Sequence, residues 1–306
     1  MQVYLPIAEM SVNAFLVLAM GGGVGFLSGM FGVGGGFLMT PLLIFVGVPP
    51  TVSVGTQANQ LVAASVSGVL AHWRRRNVDV KIGLVMLAGS LLGTVVGVAL
   101  FNLLARIGQI DFAIAVLYVL FLGTIGGLML WESVGTMLRR RSGPVRRKLH
   151  QHTWMHGLPL KMRFPRSRLY VSAFLPGGIG FVGGLLVAVM GIGGGFILVP
   201  AMIYLLGMPT ALVAGTSLFQ IIFTTAVATV LQAWVNQTVD VMLALLLLLG
   251  GVVGAQFGTA AGAKLRGDQA RALLAVLVLA VAVRLFYDLV APPDELFSLS
   301  VSVPGQ

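Results

Sequence analysis

Apolar residues run along this chain in blocks whose lengths repeat. Val12 to Met30 is a long block and Phe37 to Val46 a short one, followed by three long blocks, Val54 to Trp73, Ile82 to Leu104 and Phe112 to Trp131. After a polar stretch, Thr136 to Arg168, the order returns. Val171 to Met190 is long, Phe196 to Leu206 short, and Ala211 to Trp234, Val241 to Ala263 and Ala270 to Val290 are long. A helix rises 1.5 Å per residue, so about 20 residues cross the roughly 30 Å of hydrocarbon in a bilayer. The long blocks therefore predict membrane-spanning helices. The short ones predict helices of about 15 Å, half a membrane.

Each short block follows a glycine break, Gly32-Val33-Gly34-Gly35-Gly36-Phe37 in the first half and Gly191-Ile192-Gly193-Gly194-Gly195-Phe196 in the second. The register continues through Pro41 and Pro200, Gly47-Val48-Pro49 and Gly207-Met208-Pro209, and Gly55-Thr56 and Gly215-Thr216. It goes on through Gln60 and Gln220, Trp73 and Trp234, Asp79 and Asp240, and the glycine pairs Gly93/Gly97 and Gly254/Gly258. A correspondence held this long is a duplication. The predicted fold is all-α: a polytopic membrane protein with one repeat over 1–133, a basic linker over 134–169 and a second repeat over 170–306. Glycines at four-residue spacing, such as Gly21, Gly25 and Gly29, predict faces where another helix approaches closely.

Composition agrees: 58% of residues are hydrophobic and 9% charged, too few charges to cover a soluble globule, where about a quarter are charged. With no cysteine, a thiol nucleophile and a Cys-ligated metal are excluded. The net charge of +10 is a topology signal before it is a nucleic-acid one, because the Lys and Arg cluster in few loops. Of 19, four lie at Arg74, Arg75, Arg76 and Lys81, ten between Arg139 and Arg168, and three at Lys264, Arg266 and Arg271. If each glycine-broken segment counts as a pass, these three connections share one side, leaving Arg106 on the other and Arg284 within the last span. The positive-inside rule then places both termini outside and the 139–168 loop in the cytoplasm. Five segments per repeat make the two copies inverted, a recurrent plan in secondary transporters. Met1 to Met10 has no positive n-region and is not read as a cleavable signal. The basic loop, with Trp154 and Phe164, is a solvated linker that is also capable of meeting anionic lipid head groups; His150, His152 and His156 lack metal-ligand spacing.

The candidate chemistry lies at the breaks. A glycine break inside a membrane frees backbone amides, which are tolerated where protein or a water-filled cavity meets them. The N-terminus of each half-helix offers donors and a favourable dipole to an anion. Gly34, Gly35 and Gly36, with Gly193, Gly194 and Gly195, are the expected backbone donors. Thr56, Gln57, Asn59 and Gln60, mirrored by Thr216, Ser217 and Gln220, stand in otherwise apolar spans and are the expected side-chain partners. Taken singly, each is equally suited to interhelical hydrogen bonding. Neutral donors suit an oxyanion that must be released again. Asp79 and Asp240 read as helix-start acids at the interface, and Arg284 with Asp288 as a salt bridge near the outer surface. No catalytic set, cofactor motif or metal cluster is present in the sequence, and nothing in it calls for an enzyme.

The doubled Gly-rich break with Pro41 and Pro200, and the later Gly215-Thr216-Ser217, resemble the sulfite exporter TauE/SafE permeases over nearly the whole chain apart from the central loop. The resemblance implies carriage of a small sulfur-containing anion, such as sulfite, thiosulfate or an organosulfonate, across the inner membrane. Gln57 stands where that family more often has Ser, and the long basic linker is unusual for it. Three readings stay open beside an exporter: an importer, a passive anion channel, and a membrane scaffold that binds a partner through its basic loop.

Overall fold

A computed structural model describes residues 2–31, 36–139, 160–167, 169–262 and 267–291. Each repeat opens on a short antiparallel hairpin. In the first, β1 (Gln2–Leu5) pairs with β2 (Met10–Asn13); in the second, β3 (Lys161–Phe164) pairs with β4 (Leu169–Ser172). The apolar pattern did not separate these strands from the helices after them, and Val12 and Val171, expected in helices, lie in β2 and β4. A capping side chain ends each hairpin. Asn13 Oδ1 accepts from the Phe15 amide at 3.0 Å and Ser172 Oγ from the Phe174 amide at 3.3 Å, meeting helix-start donors that have no partner within the helix.

Among the described residues five helices follow in each repeat. The first repeat has α1 (Ala14–Phe31), the half-length α2 (Gly36–Phe45), α3 (Pro50–Arg74), α4 (Val80–Arg106) and α5 (Ile110–Arg139). The second has α6 (Phe174–Met190), the half-length α7 (Gly195–Tyr204), α8 (Thr210–Leu231), α9 (Val241–Gly262) and α10 (Gly267–Val290). α8 is prolonged by a π-turn, Gln232–Asn236. Among the described residues five helices are long and apolar enough to cross a membrane, within Val80–Arg106, Ile110–Trp131, Leu212–Asn236, Val241–Gly258 and Leu273–Val290. α3 is long as well but carries Thr56, Gln57, Asn59 and Gln60. It can hold them because its first half packs against α8, α9 and α2, where Thr56, Gln57 and Gln60 are buried by protein.

The repeats exchange helices. α1 packs on α9 and α4 on α6, along seams of glycine. A Cβ on Gly93 would fall onto the carbonyl of Phe181, one on Gly254 onto that of Gly22, and one on Gly258 onto that of Phe26. Gly21, Gly25 and Gly29 meet Leu247, Gly251 and Ala255 in turn, and Gly89, Gly93 and Gly97 meet Gly177, Phe181 and Leu185, so both seams are parallel. α3 and α8 cross the other way: Gly68, late in α3, meets Leu218, early in α8, while Gly55, early in α3, meets Thr238, just beyond the end of α8. Because α3 and α8 are equivalent elements, their antiparallel crossing makes the copies inverted about a pseudo-two-fold axis. On that axis the equivalent rings of Phe37 and Phe196 stack, centroids 4.4 Å apart and planes 18° from parallel.

Candidate functional site

The stacked phenylalanines are the second residues of the two half-helices, so the N-termini of α2 and α7 point at one another. In the second copy the break is fully described. α6 ends on Gly191 at φ 69°, and Gly193 and Gly194 follow at φ 74° and 73°, a left-handed path that side chains with a Cβ seldom take. Ile192 to Gly195 are buried, and among the described residues their amides meet no hydrogen-bond acceptor. Pro200 within α7, like Pro41 within α2, withdraws the amide that would bond the carbonyl four residues earlier, loosening each half-helix at its first turn.

Of the first break, Gly34 and Gly35 lie outside the described residues and Gly36 lies within them. A Cβ on Gly36 would stand 2.6 Å from Gln57 Nε2, 2.7 Å from Leu61 Cδ1 and 2.8 Å from the carbonyl oxygen of Ile192. The backbone of the second break therefore reaches the start of the first half-helix, with α3 alongside. A Cβ on Gly193 would likewise stand 2.5 Å from Leu61 Cδ1. Gln57 Nε2 donates to the Gly36 carbonyl at 2.7 Å, and the Thr40 hydroxyl donates to Gln57 Oε1. Tyr118, fully buried on α5, donates to the carbonyl of Met190, the last residue of α6 before the break, at 2.6 Å. α2, α6, α7 and α8 carry no charged side chain, and α3 none before Arg74. Two helix dipoles converging in an uncharged, buried setting leave this point electropositive through backbone alone.

The other expected side chains face elsewhere. Thr56 Oγ1 accepts from the Asp240 amide at 2.9 Å, and Thr216 Oγ1 accepts from the Asp79 amide at 3.0 Å, so each threonine holds the start of the other repeat's fourth helix. Gln60, one turn beyond Thr56, packs on Gly251 of α9. Ser217 donates to the Ala214 carbonyl of its own helix at 3.0 Å. Asn59 is half-buried. Gln220 is buried, and neither of its side-chain polar atoms has a partner among the described residues.

Asp79 and Asp240 are buried at 2% and 0% exposure, deeper than interface acids. Asp79 Oδ1 accepts from the Lys81 and Ile82 amides and Asp240 Oδ1 from the Leu243 amide, the helix-start role expected of them. Arg284 pairs with Asp288 at 3.3 Å, as expected. Thr40 and Tyr118 escaped the sequence reading. Their signal was a hydroxyl in an otherwise apolar stretch, which a bilayer tolerates only when it finds an acceptor.

A family model described as "Sulfite exporter TauE/SafE" matches residues 17–285. Among curated relatives, "Probable membrane transporter protein YjnA" of Bacillus subtilis is 29% identical over 243 residues, covering 79% of this chain and 88% of the relative. "Probable membrane transporter protein YunE" of the same organism is 27% identical over 289 residues, covering 90% and 98%. A "Probable membrane transporter protein" of Xylella fastidiosa is 28% identical over 286 residues, covering 90% and 95%. No solved structure matches the chain.

Proposed function

Because the chain belongs to the sulfite exporter TauE/SafE family and is a multi-pass membrane transporter, we propose that it is a secondary transporter that exports a small sulfur-containing oxyanion, such as sulfite, thiosulfate or an organosulfonate. The observation that carries the proposal is the meeting of two half-helix N-termini at the pseudo-two-fold axis, marked by the Phe37–Phe196 stack and free of charged side chains. In this reading the amides of Gly193, Gly194 and Gly195 and the start of α2 at Gly36 hold the anion, with Gly34 and Gly35 completing the first break. Gln57 sets the pocket's shape from α3. Thr56, Gln60, Thr216, Ser217 and Gln220 flank the pocket from α3 and α8, and Asn59 is assigned to its approach. Backbone dipoles without a Lys or Arg hold an oxyanion firmly enough to select it and loosely enough to release it. Inverted repeats around one site supply the alternating access. We place both termini in the periplasm and the 139–168 loop, with any anionic lipid it meets, in the cytoplasm.

The test is flux in liposomes of defined orientation, with sulfite and thiosulfate, with and without a proton gradient. An exporter of this kind moves at least one of these anions outward and responds to an imposed gradient. Gradient-independent flux in both directions would indicate a channel, and net uptake an importer. Gln57→Leu, which removes the two bonds to Gly36 and Thr40 and leaves both groups buried without a partner, is expected to cut flux about tenfold or more. Unchanged flux in that variant would remove Gln57 from the site.

A further inference from the structure

Beyond capping α1 and α6, the two hairpins occupy equivalent places at opposite ends of α3. Thr238, in the connection before α9, meets Gly55 early in α3; Asn77, in the connection before α4, meets Gly215, which also touches His72 late in α3. A 25-residue helix is about 38 Å long, so these two ends are the two faces of the protein. The β1–β2 hairpin lies at the first end, where the Ile7 amide donates to Asp240 Oδ2 at 3.0 Å. The β3–β4 hairpin lies at the second, where the Ser167 amide and hydroxyl donate to Asp79 Oδ2 at 3.0 and 2.6 Å. Each hairpin also covers the far end of its own half-helix. Met10 is the nearest group to Gly47 after α2, and Phe164 packs in one cluster with Met202, Leu206 and Met208 at the end of α7.

We propose that the two hairpins are opposed lids of the transport path, each carried by one repeat and latched to a buried aspartate of the other. The division of labour on each carboxylate favours this over a fixed plug. Oδ1 caps the aspartate's own helix and Oδ2 holds the lid, so a lid can leave without uncapping α4 or α9. A two-stranded hairpin is marginal by itself and depends on such latches to stay down. The latches are unequal. Around Asp79 the lid is held also by Arg166, which donates to the Val78 carbonyl at 2.8 Å, and by Lys81, which donates to the Arg163 carbonyl at 2.8 Å. Among the described residues the Asp240 lid has the Ile7 amide as its one hydrogen bond, with Leu5, Ala8 and Val12 buried beneath it. By polar latches the Asp240 lid is the more weakly held of the two.

The inference rests on a path through the glycine breaks but not on which anion travels it. The chain has no cysteine, so a single Leu61→Cys beside Gly193 reports access when a charged, membrane-impermeant thiosulfonate is applied from either face. Ser167→Ala is expected to raise labelling from the Arg74–Arg76 face about tenfold, the shift expected from losing a hydrogen bond to a charged acceptor, and to leave labelling from the other face unchanged. Ile7→Pro, which deletes the donating amide, is expected to do the reverse, with Ile7→Ala, which changes the side chain and keeps the amide, as its control. Asp79→Asn and Asp240→Asn form the second pair: each keeps an oxygen for its helix and turns an amide toward the lid. Equal changes from both faces, no change in folded protein, or no labelling of Leu61→Cys from either face would overturn the lids. Selective labelling without sulfite or thiosulfate flux would leave the lids standing and overturn the substrate assignment instead.

Discussion

Thr56 and Thr216 show how one hydroxyl ties the repeats together. Each accepts from the amide of an aspartate in the other repeat, and that aspartate begins the helix which the threonine's own repeat packs against. Thr56→Val and Thr216→Val keep the side-chain volume but leave a buried amide without an acceptor, costing about 1 to 3 kcal/mol. Both variants are expected to melt several degrees lower in detergent and by similar amounts, because the two bonds are equivalent. A direct role in anion coordination would show differently, as weakened sulfite or thiosulfate binding in calorimetry at unchanged melting temperature. Tyr118 acts in the same manner at one remove, its hydroxyl holding the Met190 carbonyl at the mouth of the second break.

At the scale of elements the glycine seams carry the packing, and they are sharply position-specific. A Cβ at Gly93 or Gly254 would coincide with a carbonyl oxygen of the facing helix, whereas Gly123 and Gly127 on α5 have nothing within 4 Å. Gly93→Leu and Gly254→Leu are therefore expected to abolish the monodisperse peak in size-exclusion chromatography, overpacking costing at least about 1–3 kcal/mol, while Gly123→Leu leaves it intact. The opposite ranking would show that the α1–α9 and α4–α6 seams are misplaced. The existence of these glycine faces was legible in the sequence because their spacing is local. Their partners were not: that α1 chooses α9 and α4 chooses α6 is a long-range exchange between copies, to which no periodicity refers. The half-helices were legible from block length and the breaks from their glycines. The hairpins were hidden because strands of four residues that run straight into an apolar helix blur into it, although Asn13 and Ser172 were the capping signals that divide them. The β3–β4 hairpin also straddles the boundary drawn at 169/170, its first strand lying among residues read as linker.

In the whole molecule the shape is nearly two-fold symmetric and the charge is not. Arg74, Arg75, Arg76, Lys81, Lys161, Arg163 and Arg166 are exposed at the end where α4 begins and the β3–β4 lid closes. The opposite end has Glu9 in the β1–β2 turn, Arg106 where α4 finishes and Asp111 where α5 starts. Arg284 lies there too, 5.9 Å from the ring of Phe45 at the end of α2 and already paired with Asp288. An inverted repeat has no intrinsic up or down, so this difference alone is left to decide its orientation during insertion. The basic end is expected to face the cytoplasm. In otherwise cysteine-free protein, Gln109→Cys, exposed in the α4–α5 turn, should react with an impermeant maleimide in intact cells, and Arg75→Cys only after permeabilisation. Reporter fusions at Ser142 and Gln306 should agree, placing the first in the cytoplasm and the second outside. Labelling of Arg75→Cys from outside would reverse the orientation, and would put the more strongly latched lid on the face from which an exported anion has to leave.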